Sequence, residues 1–123
     1  MGKYLRVAKR YDIEWGNTES FNWAHDDFFN VLKALGGSPC YCSGDDYYIS
    51  DDFECDVEEY DDAIKNLEVY ISDPARLSDE LDADDIRKRL ETLKMPADKV
   101  LGIMRAYRNE ADVHTGWMHF SAF

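Results

Sequence analysis

The sequence predicts an α+β fold, in which a small, mainly antiparallel sheet of about four strands packs against three to four helices in a single domain. Residues 4–12 and 117–123 alternate apolar and polar side chains with the period of two that half-buried strands show. Between them, apolar residues recur every three or four positions, as in amphipathic helices. A chain of 123 residues suits one domain, so we expect residues 1–123 to share one core.

The strand at residues 4–12 is followed by a turn and then by a helix. Glycine and polar residues at 16–18 predict the turn. From Phe21 to Leu35 the apolar residues keep helical spacing, and the glycine pair at 36–37 is a typical stop signal. We therefore expect the first helix to end just before these glycines.

A hairpin is predicted after the first helix. Residues 39–41 and 47–49 form its two short strands, because turn-forming residues separate them at 43–46. Residues 50–55 are expected to extend or continue this hairpin. The predicted order up to this point is strand, helix and strand pair.

Three further helices follow. The first starts at Asp56, with carboxylates crowded into its first turn, where the helix dipole favours negative charge. A short helical turn is expected through Leu77 and Leu81. Asp82 is the expected N-cap of the next helix, and Pro96 the expected first residue of the last one. Each helix has an apolar stripe, formed by Val57, Tyr60, Ile64, Leu67 and Ile71, by Ile86, Leu90 and Leu93, and by Val100, Ile103, Met104 and Tyr107.

The last strand, at residues 117–123, is expected to return to the sheet. Met118 and Phe120 alternate there with Trp117 and His119. Because successive side chains of a strand point to opposite faces, one pair belongs to the core and the other to the outer face. The apolar pair is the predicted core pair.

Acidity is concentrated in one segment. The chain carries 26 acidic and 14 basic residues, which gives a formal net charge of -12. Residues 45–85 hold 17 of these acids and only two bases, so the rest of the chain is slightly positive. A strongly negative molecule is disfavoured as a partner of nucleic acid or of anionic membranes.

The sequence indicates a cytoplasmic protein with reduced thiols. It contains no run of about 18 apolar residues, and its polar first residues lack the apolar centre of a signal peptide. Three cysteines, Cys40, Cys42 and Cys55, are an odd number without a secretory signal, which argues against disulfides. We expect buried structural cysteines rather than a zinc site, because the Cys-x-Cys spacing differs from that of structural zinc ligands.

No motif for catalysis or cofactor binding is found. The patterns of serine hydrolases, zinc proteases, P-loop proteins and dinucleotide-binding proteins are all missing from the sequence. His25 and His119 have no nucleophile near them in sequence. We therefore predict no enzyme activity, no catalytic residue, no cofactor and no metal, and only a pocket that gathers one of these histidines with carboxylates would reverse that prediction.

The acidic start of the helix at Asp56 is the strongest candidate for a functional surface. Six of the nine residues at 54–62 are acidic, which along a helix gives about one charge per 2.2 Å, close to the roughly 1.7 Å of duplex DNA. Aromatic residues, which anchor protein interfaces, are interleaved with the acids. The predicted partner-binding residues, with residues 79–85 as an extension, are Tyr48, Asp51, Asp52, Phe53, Glu54, Asp56, Glu58, Glu59, Tyr60, Asp61 and Asp62.

These residues predict a small, non-enzymatic interaction protein that docks on a basic protein surface. The natural targets of such a surface are nucleic-acid-binding enzymes and toxins, so the expected classes are inhibitors, immunity proteins and DNA mimics. A phage or mobile-element origin fits these classes. Direct binding to nucleic acid or to a membrane is not expected, and the oligomeric state is left open.

Two other interpretations are kept. Residues 84–108 form two predicted helices joined by a tight connection, and the second carries Arg105 and Arg108, as a DNA-binding helix-turn-helix would. The acidic stretch also offers oxygen ligands for a divalent cation, although the glycine of an EF-hand loop is missing. The candidate cation ligands are Asp51, Asp52, Glu54 and Asp56.

Overall fold

A computed structural model describes residues 4–10, 14–20, 25–41, 53–111 and 116–122. These residues form four α-helices and a β-sheet, so the predicted α+β class and helix number are confirmed. The elements in chain order are β1 (Tyr4–Arg10), β2 (Glu14–Ser20), α1 (His25–Ala34), β3 (Cys40–Tyr41), β4 (Phe53–Asp56), α2 (Val57–Ser72), a 3-10 helix (Pro74–Arg76), α3 (Ala83–Leu93), α4 (Ala97–Glu110) and β5 (Trp117–Ala122).

The sheet has five strands in the described residues, in the order β2-β1-β5-β4-β3, and every neighbouring pair is antiparallel. The predicted number of four is therefore wrong. The additional strand is β2, which contains residues 16–18 that were predicted as a turn. The pairing of β1 with β2 shifts register twice, between Arg6 and Ala8 and between Ala8 and Arg10. Such irregularities interrupt the alternation by which a strand is recognised.

The C-terminal strand lies in the middle of the sheet. β5 pairs with β1 on one side, where Val7 lies opposite Phe120, and with β4 on the other, where Phe53 lies opposite Phe120. The prediction that the last strand returns to the sheet is confirmed. β3 pairs with β4, so the hairpin partner of residues 40–41 is β4, while residues 47–49 lie outside the described residues.

Helix ends follow the chemistry of their capping residues. After α1, Gly36 has a φ of +85°, and its N–H donates to the carbonyl of Lys33 at 3.1 Å. A residue with no Cβ adopts this left-handed conformation readily, which confirms the predicted stop at the glycine pair. Asp82 caps α3, because its carboxylate accepts from the backbone N–H of Asp84 at 2.9 Å, as predicted. Pro96 is the residue before α4 rather than its first residue.

A 3-10 helix forms over Pro74–Arg76, whereas residues 77–81, for which a short helical turn was expected, form only a turn in which the Leu81 N–H donates to the Ser78 carbonyl at 3.0 Å. Asp73 begins the 3-10 helix by accepting from the N–H of Ala75 at 3.2 Å. None of the described helices combines the length and the apolar character needed to span a membrane.

The core lies between the helices and one face of the sheet. Phe120 is fully buried at its centre, stacked on Phe53 with ring centroids 4.7 Å apart. The rings of Tyr107, Tyr60 and Phe28, on α4, α2 and α1, contact Phe120 at centroid distances of 5.5, 6.0 and 6.3 Å. Three helices therefore converge on the central strand, and this packing fixes the position of α2 beside β4.

Candidate functional site

The predicted partner-binding residues that the structure describes lie on β4 and on the first two turns of α2. Tyr48, Asp51 and Asp52 lie outside the described residues. The eight others share one continuous stretch, because β4 passes into α2 without a loop. Asp56 ends the strand and caps the helix, since its Oδ1 accepts from the N–H groups of Glu58 and Glu59 at 2.9 and 3.2 Å.

Two of the predicted aromatic contacts belong to the core, which corrects that part of the prediction. Phe53 and Tyr60 are both completely buried. Phe53 occupies an inward position of β4, and the Tyr60 hydroxyl donates to the carbonyl of Met104 at 2.7 Å. Neither ring is available to a partner, so the aromatic residues within this stretch stabilise the fold rather than an interface.

Three carboxylates in the first two turns of α2 reach the surface without an ion pair to another described residue. Glu58 and Asp62 are exposed and Glu59 is half-buried. At about 100° per residue, Glu58 and Asp62 lie only about 40° apart around the helix axis, on the side opposite the buried Leu67. Within the described residues, no ion pair involves Glu58, Glu59 or Asp62. We call these three carboxylates the acidic face.

The other acids of this stretch have partners within the chain. Arg108 on α4 donates from Nε and Nη2 to the two oxygens of Asp61, at 2.8 and 3.3 Å. On β5, the Nδ1 of His119 lies 3.2 Å from the Oε1 of Glu54. Asp56 uses its Oδ1 as a cap and Glu54 its Oε1 toward His119, so each keeps one oxygen for a further contact, and three of the six acids at 54–62 have no partner within the described residues. The DNA-like charge density expected from the sequence is therefore reduced.

The basic residues of α3 are also paired. Arg87 bonds Asp84 at 2.7 Å and Glu91 at 2.8 Å, and these hydrogen bonds lower the pKa of Asp84 and raise that of Arg87. Arg89 lies 3.5 Å from Asp85, one turn earlier. All these groups are exposed, so their value for stability is small. These pairs neutralise Asp84 and Asp85, two of the five acids of the extension at 79–85.

The helix-turn-helix segment is packed differently from a DNA-reading pair. α3 packs chiefly against α1, and α4 packs against α2. The two arginines proposed to contact DNA both face carboxylates of α2, since Arg105 lies 3.3 Å from Glu68 and Arg108 holds Asp61. Arg105 and Arg108 therefore neutralise two carboxylates of α2, Glu68 and Asp61.

Trp117 is an exposed aromatic residue that the sequence prediction did not select. It retains 40% of its surface in water, at the first position of β5. Its Cα pairs with that of Asp56, and the adjacent Gly116 carbonyl accepts from the N–H of Val57 at 3.0 Å. The backbone at Trp117 is thus held beside the start of α2. Because Trp117 alternates with the predicted core residues Met118 and Phe120, the sequence pattern placed it on the outer face of the sheet.

The cysteines differ in their surroundings. Cys55 is buried and its thiol donates to the carbonyl of Gly37 at 3.1 Å, whereas Cys40 is exposed. Exposure of Cys40 corrects the prediction that the cysteines are buried, while Cys42 lies outside the described residues. Within the described ranges, no three potential metal ligands come together, and two of the four predicted cation ligands lie beyond them.

Burial makes the fold sensitive to ionisation of Cys55. Burial, with the nearby carboxylates of Glu59 and Asp56, raises the pKa of this thiol from 9.0 to about 12. Above pH 9 the unfolded thiol loses its proton and the folded one keeps it, so the free energy of unfolding falls as the pH rises towards 12. Between pH 8 and pH 10 we expect this to lower the free energy of unfolding by on the order of 1 kcal/mol.

Urea denaturation of the wild type and of Cys55→Ala at both pH values measures this effect. The stability difference between the two proteins should move in favour of the variant at pH 10. A difference that stays constant from pH 8 to pH 10 would show that the thiol ionises equally in both states.

A cavity of about 500 Å³ lies between the end of α1 and the start of α3. Charged residues of both signs line it, among them Lys33, Glu80, Asp82, Asp85 and Arg89. None of the described residues that line it is a histidine, so the described lining does not gather a histidine with these carboxylates.

Comparisons with protein-family models, with curated proteins and with solved structures find no match for this chain. The interpretation of the site therefore depends on its own geometry.

Proposed function

We propose that this chain is a cytosolic, non-enzymatic interaction protein that docks on a basic surface of a partner protein through its acidic face. One observation carries the proposal. The carboxylates of the acidic face have no cationic partner in the described residues, whereas the arginines of α3 and α4 are engaged by acids of the same chain. The three carboxylates lie close together at the start of α2 beside one exposed cation, Lys65, which forms no ion pair in the described residues, so the uncompensated charge at this end of the helix is net negative.

Carboxylates without an ion pair attract a basic partner before the two proteins touch. Negative carboxylates on a rigid helix attract a positive surface over distances of about a Debye length, which speeds encounter and makes it depend on salt. The helix is held rigidly, because Tyr60 and Leu67 on its other side are fully buried. The partner therefore meets a preformed surface and little ordering is needed on binding.

The same pairing favours this proposal over a DNA-binding regulator. Phosphate contacts need free arginines or lysines. Arg105 and Arg108 are held by Glu68 and Asp61, which leaves only Lys94 and Lys99 as bases of this segment without an ion pair in the described residues. Three uncompensated carboxylates suit contact with a few basic side chains rather than imitation of a long duplex. An inhibitor or immunity protein of a basic enzyme or toxin is therefore the class we favour.

Affinity capture with salt elution tests the proposal. Tagged protein is incubated at low salt with a lysate of its native host, and bound proteins are eluted by a salt gradient and identified by mass spectrometry. We expect a basic protein to be retained and then released as salt screens the charges. Retention of no basic protein, or release that does not depend on salt, would contradict the proposal.

A further inference from the structure

We infer that Trp117 receives an arginine side chain of the partner, an inference that rests on the proposed function and specifies the chemistry of its partner. The observation behind it is the outer face of the sheet where β4 meets β5. Four residues of the two strands are completely buried: Phe53, Cys55, Met118 and Phe120. The residues that alternate with them in β4 and β5 therefore belong to the opposite face. That outer face carries Glu54, Asp56, Trp117 and His119.

The register of the two strands places the indole among carboxylates. Trp117 pairs directly with Asp56, and Glu54 pairs with His119, the next residue of β5 on the same face. Glu54 is thus diagonal to Trp117, within the reach of a long side chain bound on the indole. An exposed aromatic ring flanked by two carboxylates attracts a cation both through its ring face and through the neighbouring charges.

Among cations, arginine fits this arrangement better than lysine. Its planar guanidinium stacks on an aromatic ring while its N–H groups point outward in the guanidinium plane, where carboxylates beside the ring can accept from them. Lysine offers a compact, strongly hydrated charge that gains less from a flat surface. Tryptophan is the best of the aromatic side chains for this contact.

Two peptides of equal charge test the inference. One alternates four arginines with glycines and the other four lysines with glycines, and both are titrated into isotopically labelled protein. The indole N–H resonance of Trp117, assigned with Trp117→Phe, reports binding at this residue. We expect the arginine peptide to bind about 3- to 5-fold more tightly than the lysine peptide.

Variants of Trp117 test whether the indole itself contacts the arginine side chain or only lies near it. Trp117→Ala should remove the preference for arginine, and Trp117→Phe should retain part of it, while the dispersion of the amide spectrum verifies that each variant is folded. Equal binding of the two peptides to the wild type, or a preference that survives Trp117→Ala, would overturn the inference.

A second variant separates this inference from the proposed function. Glu58→Gln with Asp62→Asn should weaken both peptides alike. If that variant weakens binding and Trp117→Ala changes nothing, the arginine contact is wrong and the acidic face stands. If the variant binds both peptides as the wild type does, the proposed function itself fails.

Discussion

Neutralising Glu58 and Asp62 together, as Glu58→Gln with Asp62→Asn, is expected to weaken binding to the captured basic partner by about 100-fold, or about 3 kcal/mol. Both carboxylates are exposed on one side of α2 and have no cationic partner in the described residues. Amide side chains of the same shape keep the surface and remove its charge. The dissociation constant, measured by calorimetry or surface plasmon resonance at 0.15 M salt, checks this expectation.

The matched control removes two charges elsewhere. Glu91→Gln with Asp98→Asn changes the net charge equally, at exposed positions on α3 and α4. The ion pair with Arg87 that is lost at Glu91 is exposed and contributes little to stability. It should change the affinity by no more than about 3-fold, because screening leaves little interaction beyond about 8 Å at this salt concentration. Equal weakening by both double variants would mean that net charge, and not the acidic face, determines binding.

Truncation of Phe120 is expected to have the largest effect on stability. Its ring is completely buried at the centre of the aromatic cluster, stacked on Phe53 at 4.7 Å and in contact with Tyr107 at 5.5 Å. Phe120→Ala removes these contacts and leaves a cavity, which should lower the free energy of unfolding by about 4 kcal/mol. Urea denaturation followed by circular dichroism measures the loss.

Two further variants keep this prediction testable if Phe120→Ala does not fold. Phe120→Leu should cost about 1 to 2 kcal/mol, because it preserves much of the volume. Ile71→Ala, at a position 42% exposed, should cost less than about 1 kcal/mol. A loss at Phe120 no larger than that at Ile71 would contradict the central place given to β5 in the core.

Local patterns predicted much of the fold. The apolar spacing of Tyr60, Ile64 and Leu67 identified the buried side of α2, and all three are buried. Asp82 was recognisable as a cap because its side chain acts on a residue only two positions away. Alternation placed Met118 and Phe120 in the core. Features that depend on neighbours along the chain were therefore accessible.

Side-chain contacts between residues that are distant in sequence were not identified from the sequence, although the return of the last strand to the sheet was. Arg108 neutralises Asp61 across 47 positions, and composition alone could not distinguish this acid from Asp62. The burial of Phe53 follows from its stacking on Phe120, which the acidic surroundings of Phe53 in the sequence concealed. Trp117 joins the site only because β5 pairs with β4. Antiparallel pairing thus brought an aromatic residue from the end of the chain to the acidic helix.

Hydrogen exchange of the chain alone and with its captured partner tests the central claim most directly. We expect partner binding to slow exchange at residues 57–62 and 116–119, where the acidic face and Trp117 lie, and to leave exchange at 97–108 unchanged. Slower exchange at 97–108 with none at 57–62 would contradict this expectation, because the contact would then lie on α4 rather than on the acidic start of α2.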